Sequence, residues 1–306
     1  MPRPFTFLVR LLVLVLALCA GGTARAGAPV LLVLGDEGGA HAATAEAIRR
    51  ALPPGTAVDQ TNWQALGGET LRSRRVVVSI GGRAAQAVAE AAPSAAVLHT
   101  LLTRAGFARL PPAPDEGAAS AIFLDQPASR QVALIRLALP EARRLALLSG
   151  PSSAELIDEL AAAARQQGFE PARATVSADR DLFLALQQVF TEPAVLVATP
   201  DPAVFNSYTV QNVLLTAYRH RSPVVGFSPA YARAGALLAL YSTPEQIGSQ
   251  AAEAVTAVLG GGRLPPPAPP RSFEVGVNMN VARSLGILLS DGETLARKLL
   301  RQEGGR

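Results

Sequence analysis

The stretch LALLSGPSSAELIDELAAAARQQG, Leu145–Gly168, reads as one complete strand–turn–helix unit. Leu145–Gly150 is a short apolar run without polar alternation, the pattern of a strand buried on both faces. Gly150-Pro151 punctuates it, and from Ser152 to Gln167 apolar residues return at helical spacing until Gly168 closes the helix. Ser152 with Glu155 three residues on has the form of a capping box. A strand buried on both faces needs helices on both sides, so this unit predicts a parallel sheet rather than a sandwich.

The same grammar repeats outward in both directions. Upstream, strands are predicted at Pro29–Leu34, Val76–Ile80 and Ala95–Leu98, with a Gly-rich loop at Gly35–His41 and helices at Ala42–Leu52 and Arg83–Ala92. Downstream come strands at Ala172–Val176, Val195–Thr199, Val224–Phe227 and Leu237–Tyr241, and helices at Asp179–Phe190, Ala203–His220 and Pro244–Leu259. The Pro-rich stretch Leu264–Pro270 cannot continue a helix and reads as an extended connection. A last strand at Phe273–Asn278 and two helical pieces within Val281–Leu300 complete the chain. The Pro/Ala/Gly-rich segment Pro111–Ser120 separates the two series, which implies two α/β lobes. In sheets of this kind ligands bind beyond the carboxyl ends of the strands, so a cleft between the lobes is where a ligand is expected.

The 306 residues suffice for two such lobes. With 49% hydrophobic residues, 17% charged, 26 Gly without a three-residue period and a single Cys, disordered, collagen-like and disulfide-stapled classes are excluded. The net charge of +4 hints at a polyanion partner, but its location argues otherwise. Residues 1–26 carry Arg3, Arg10 and Arg25 and no acid, leaving 25 basic against 24 acidic residues. No basic run with interleaved aromatics occurs, so no nucleic-acid partner is expected.

The same 26 residues have the form of a secretory signal. A basic start precedes the apolar run Leu11–Ala20, and Ala24-Arg25-Ala26 offers small residues where a signal peptidase cuts. The run is too short to span a membrane. A periplasmic or secreted mature chain from about Gly27 is expected; lipid attachment at Cys19 is the alternative, disfavoured by bulky Leu18 before it.

From Leu124 onward the chain resembles the substrate-binding proteins of ABC transporters, in the group that includes tryptophan- and tyrosine-type binding proteins with a type I periplasmic binding fold. Leu124–Ser153, Val195–Phe205, Pro223–Gly261 and Phe273–Ile287 carry the resemblance, and SIGGRAAQA (Ser79–Ala87) is similar to the family's strand-to-helix turn in the first lobe. HTLLTRAGFARL (His99–Leu110) departs from it, standing where the family has a segment rich in Asp, Pro and Gly. The resemblance implies two Rossmann-like lobes, 27–122 with 242–270 and 123–241 with 271–306, around an interlobe cleft. It further implies a monomer that captures a small molecule by domain closure and presents it to a membrane permease, with an amino-acid-like solute as the default. An envelope ligand sensor, acting through a receptor, or an accessory protein that keeps the fold without serving transport is the alternative.

The loops at the predicted strand ends supply the candidate site. The backbone N–H groups of the Ser79, Gly81, Gly82 turn, at a helix start, suit a carboxylate or phosphate; the same glycines would equally serve the turn alone. Ser149 occupies the equivalent place in the second lobe. Asp201 matches the family's Asp after the third strand of that lobe, where it would pair with a ligand ammonium; as an N-cap followed by Pro202 it needs no ligand. Ser228 and Tyr231 follow a strand beside Phe227, for which a core role is expected, and would wall a pocket for an apolar or aromatic ligand. Asp36, Glu37 and His41 in the first Gly-rich loop would suit a cation or amine, or simply water.

Enzyme chemistry lacks its parts. His41, His99 and His220 are scattered, H-E-x-x-H, G-x-S-x-G and G-x-G-x-x-G are all absent, and residues 27–306 contain no thiol. No catalytic residue, cofactor or metal is expected.

Overall fold

A computed structural model describes residues 28–115 and 117–304; the expected signal segment and Cys19 lie outside the described residues. Two sheets carry the fold. The first has the order β2-β1-β3-β4-β5 and is parallel throughout: β1 (Val30–Leu34), β2 (Val58–Asn62), β3 (Val76–Ile80), β4 (Ala96–Leu102) and β5 (Ala119–Phe123). The second has the order β11-β10-β9-β8-β6-β7: β6 (Arg144–Ser149), β7 (Glu170–Thr175), β8 (Val195–Val197), β9 (Val224–Gly226), β10 (Leu238–Tyr241) and β11 (Glu274–Val277). Only β11 runs antiparallel to its neighbour.

Around the first sheet lie α1 (Gly39–Ala51), the single turn α2 (Gly68–Leu71), α3 (Gly82–Ala91) and α4 (Arg104–Ala108). The second sheet packs with α5 (Ala128–Ala138), α6 (Ala154–Gln166), α7 (Leu182–Val189), α8 (Val210–Arg219) and α9 (Pro229–Ala234). The next helix, α10 (Pro244–Leu259), follows β10 yet returns to the first sheet. Its Ile247, Ala251, Ala252 and Val255 share one buried cluster with Val30 and Leu32 of β1 and Val76 and Val78 of β3. The chain then runs back along β5 through an Ile122–Ala268 bridge and ends in β11, α11 (Met279–Leu285) and α12 (Gly292–Gly304) against the second sheet.

Every residue of β1 and β3 is buried, as their unbroken apolar runs require. Several elements depart from the sequence expectation. β2 (VDQTN) is a half-exposed edge strand, and an edge needs no apolar run. β4 extends to Leu102, so the atypical His99–Leu110 segment is half strand and half helix. The helix predicted from Ala203 starts only at Val210, because Asn206 Oδ1 accepts the N–H groups of Tyr208 and Thr209 while Thr209 Oγ1 accepts that of Asn206, holding 201–209 in turns. The segment expected to be only a connector, Pro111–Ser120, already contains the start of β5.

Three crossings join the sheets, and one side chain ties them together. Arg130, in the first turn of α5 and 8% exposed, pairs in bidentate fashion with Glu303 of α12 at 2.7 and 3.0 Å. Its Nη1 donates to Gln126 Oε1 on the first crossing and to the Pro270 carbonyl on the third, and its guanidinium lies 4.4 Å from the Phe273 ring centroid. Gln126 Nε2 in turn donates to Ser242 Oγ on the second crossing, and Ser242 Oγ donates to the Ser272 carbonyl. Truncation at the hub leaves buried acceptors unpaired, so Arg130→Ala is expected to lower unfolding free energy by about 3 kcal/mol in chemical denaturation. Arg173→Ala, which breaks the exposed pair with Asp158, is expected to change it by less than about 1 kcal/mol.

Candidate ligand-binding cleft

Each sheet reverses its strand order once, between β1 and β3 in the first and between β6 and β8 in the second. Such switch points are the ordinary ligand crevices of open α/β sheets. Here both are filled by the protein's own side chains.

In the second sheet the plug is Asp201. It is fully buried, and its carboxylate accepts the Ser152 N–H at 2.8 Å, the Ser153 hydroxyl at 2.9 Å and the Ala203 N–H at 3.0 Å. Gly150 makes room for it: a Cβ there would sit 2.5 Å from Asp201 Oδ2. Ser153, not Ser152, is the N-cap residue of α6, and the capping box read at Ser152 does not form because the Ser152 N–H is committed to Asp201. In the first sheet the plug is His41. Gly81, at φ 95°, presents its open face to the His41 ring, which any Cβ would overlap, and its N–H donates to the Thr100 carbonyl at 2.9 Å. Burial lowers the His41 pKa.

A cavity of about 470 Å³ instead lies beside the crossings, between the two sheets. Gly39, Ala40 and Ala43 of α1 and Leu101 of β4 line it from the first sheet; Ala198, Pro200, Phe227, Ser228 and Pro229 line it from the second. Leu124, Asp125 and Gln126 of the first crossing and Tyr241, Ser242 and Thr243 of the second form its floor. Leu101 stands at a register shift in β4 with φ 50°, a backbone state that a β-branched or bulky side chain rarely adopts. This bulge turns Leu101 out of the strand alternation and onto the cavity wall.

Of the seven residues singled out from the sequence, only Ser228 lines this cavity. Ser79 is fully buried in β3, sharing a 2.7 Å hydrogen bond with His99 Nδ1. Gly82 is exposed at the start of α3, and Ser149 ends β6 with its carbonyl accepting the Val176 N–H. Tyr231 packs in the core under Gly226, its ring 4.6 Å from that of Phe227, and burial pushes its hydroxyl pKa up to about 12. The two aromatics thus exchange the expected roles, with Phe227 on the cavity wall and Tyr231 behind it. Asp36 and Glu37 are exposed and held by Gly38 N–H and Asn62 Nδ2. Among the described residues no three His, Cys, Asp or Glu side chains gather as a metal site.

The residues that sequence reading missed are Asp125, Gln126 and Tyr241–Thr243. Their signal is present as short polar interruptions, Asp-Gln-Pro after β5 and Ser-Thr-Pro after β10. The second of these starts a capping box in which Thr243 and Gln246 satisfy each other.

The atypical segment has a definite role. His99 packs edge-on to Phe107 at 5.7 Å, and Phe107 packs on Phe123 at 5.8 Å. Thr103 caps α4, and two arginines reach across to the second sheet's side: Arg104 of α4 pairs with Glu159 of α6 at 2.8 Å, and Arg109 at the end of α4 donates from Nη1 to Ser152 Oγ in the turn before α6 at 3.3 Å. The Arg104 N–H donates to Asp125 Oδ2 at 2.6 Å, and burial raises the Asp125 pKa above the usual carboxylate range.

The pattern of the ABC transporter substrate-binding protein family matches residues 69–297, three-quarters of the chain, and the chain belongs to that family. No match was found among curated protein sequences. Among solved structures the chain is similar to the ligand-free, open structure of a substrate-binding protein with adhesive properties from Clostridium difficile, at 18% identity, TM-score 0.70, and 85% and 95% coverage of the two chains. It is also similar to a domain from Streptococcus pneumoniae in complex with L-Trp, at 17% identity, TM-score 0.61, and 88% and 98% coverage. A conserved domain protein from Vibrio cholerae is similar at 21% identity, TM-score 0.59, and 85% and 95% coverage. These likenesses give the fold as that of the periplasmic binding proteins.

Two measurements test the Asp201 plug and the buried His99. Asp201→Ala removes an acceptor of three internal hydrogen bonds and is expected to cost about 3 kcal/mol of stability while leaving the ligand affinity of the folded protein unchanged. His99 is held neutral by burial, with its pKa lowered from 6.5 to about 4. Between those values the unfolded chain takes up a proton that the folded chain refuses, so stability falls as pH drops through this window, by on the order of 3 kcal/mol. Melting curves between pH 7 and pH 4 are expected to show this loss, and His99→Asn to flatten it.

Proposed function

We propose that this protein captures a small solute between two lobes, 27–122 with 242–270 and 123–241 with 271–306, and presents it as a monomer to the membrane permease of an ABC-type transporter. The observation that supports this most directly is the 470 Å³ cavity walled from both sheets and floored by two of the crossings, where a bound solute would touch both halves and favour their closed arrangement. Family membership supports the transporter partner, and a liganded relative, the Streptococcus pneumoniae domain with L-Trp, supports a small organic solute. An amino acid or related molecule is the default class. Residues 1–26, with the form of a secretory signal, direct the chain to the periplasm or exterior.

The test is thermal denaturation of residues 27–306 across amino acids, amines, sugars and inositols. A solute that binds only the folded state adds about 2.7 kcal/mol at one hundred times its dissociation constant, an upward shift of several degrees. Small-angle scattering of the same samples should show a decrease in radius of gyration. No shift at millimolar concentration from any class would reject solute capture.

A further inference from the structure

Resting on the capture reading, we infer that the solute is an apolar organic amine and that Asp125 receives its ammonium group. The cavity walls are apolar almost throughout, including Ala40, Ala43, Leu101, Leu156, Phe227 and Leu240. Most of the polar groups that line it are already used. Gln126 and Ser242 bond each other, Gln131 Nε2 donates to the Gln126 carbonyl, and Thr243 Oγ1 caps α10.

Asp125 is the one charged residue on the lining, which contains no Lys, Arg or His. Its carboxylate takes only backbone donors, the Arg104 N–H foremost, and among the described residues no side-chain donor reaches it. The nearby Arg104 guanidinium attracts it but is itself paired with Glu159, and among the described residues no cation forms an ion pair with Asp125. A carboxylate half-withdrawn from water and unpaired by any cation is unfavourable, and a bound ammonium would relieve it. Bringing an anionic group into the same apolar space would instead add repulsion between like charges in a low dielectric. Phe227 and Tyr241 contribute aromatic surface to the same cavity, and aromatic rings beside a carboxylate form the chemistry that holds organic ammonium ions. Asp201, the acid that the family resemblance offers for this job, is sealed behind Gly150 with its oxygens occupied.

The experiment is isothermal titration of the purified protein with phenethylamine and tryptamine, the matching amino acids phenylalanine and tryptophan, the matching carboxylates phenylpropionate and indolepropionate, and uncharged myo-inositol and glucose. The amines are expected to bind at least as tightly as the amino acids, the carboxylates not at all. Asp125→Asn, which keeps an acceptor for the Arg104 N–H, is expected to lower amine affinity at least tenfold. Ala43→Lys, which sets a fixed positive charge in the same cavity and leaves the Asp125 residue itself in place, should do the same even if the first variant folds poorly. Amino acids binding tenfold tighter than the amines, binding of the carboxylates, or amine affinity unchanged in both variants would each overturn the assignment to Asp125 and amines. Binding of inositol or glucose alone would overturn it while leaving solute capture intact; binding of nothing in the panel would count against both.

Discussion

The guanidinium of Arg130 is the interaction on which the relation of the two halves depends. It is a buried cation, so its hydrogen-bonding sites must all be matched, and the matching acceptors come from different crossings and from the last helix. The cost of burying the charge enforces a geometry: Gln126, Pro270 and Glu303 have to converge on one point. Ser242, held by Gln126, brings the remaining crossing into the same network. A hinge made of three unconnected strands would leave the lobes free to slide. Here the three crossings are stitched through a single hub, and the cavity sits beside it, with Gln126 and Ser242 serving both.

Because the switch points are occupied, the chemistry of the cleft moves away from where the fold would ordinarily place it. Asp201 and His41 convert two potential ligand crevices into structural seams, each dependent on a glycine opposite. What is left is a space displaced toward the crossings and furnished mainly with methyl and aromatic groups. The bulge at Leu101 points the same way, since a strained residue on the wall persists only where the surrounding structure over-determines it. The segment that departs from the family pattern then contributes twice, filling the end of the first sheet with His99 and Phe107 and reaching across to α6 and the turn before it with Arg104 and Arg109.

The architecture was legible wherever burial on two faces forced an unbroken apolar run. VLLVL, VVVSI and the 145–168 unit are legible from their apolar runs and helical spacing. β2 was not legible, because VDQTN at a sheet edge satisfies no apolar rule. The site was far less visible. Gly81, Asp201 and Tyr231 bear the marks of ligand-binding residues, but each mark has an internal cause that sequence cannot distinguish: a glycine accommodating His41, a carboxylate capping two loops, an aromatic ring closing a core. Asp125 was missed for the opposite reason. A lone acid between a strand and a proline is ordinary until the fold places it in a cavity without a cation.

The path of α10 has a bearing on how the chain acquires its shape. The faces of β1 and β3 that α10 covers lie some two hundred residues before it, while the strands from β6 to β10 form a continuous stretch of chain. As synthesis proceeds, the later sheet can pair all of its parallel strands while Val30, Leu32, Val76 and Val78 have only α1, through Ala45 and Ile48, as cover. Joining contacts so distant costs little in loop entropy but fixes an order of events. The part of the protein made first is therefore among the last to be finished, and a nascent chain stopped before Pro244 would carry an apolar face covered only in part.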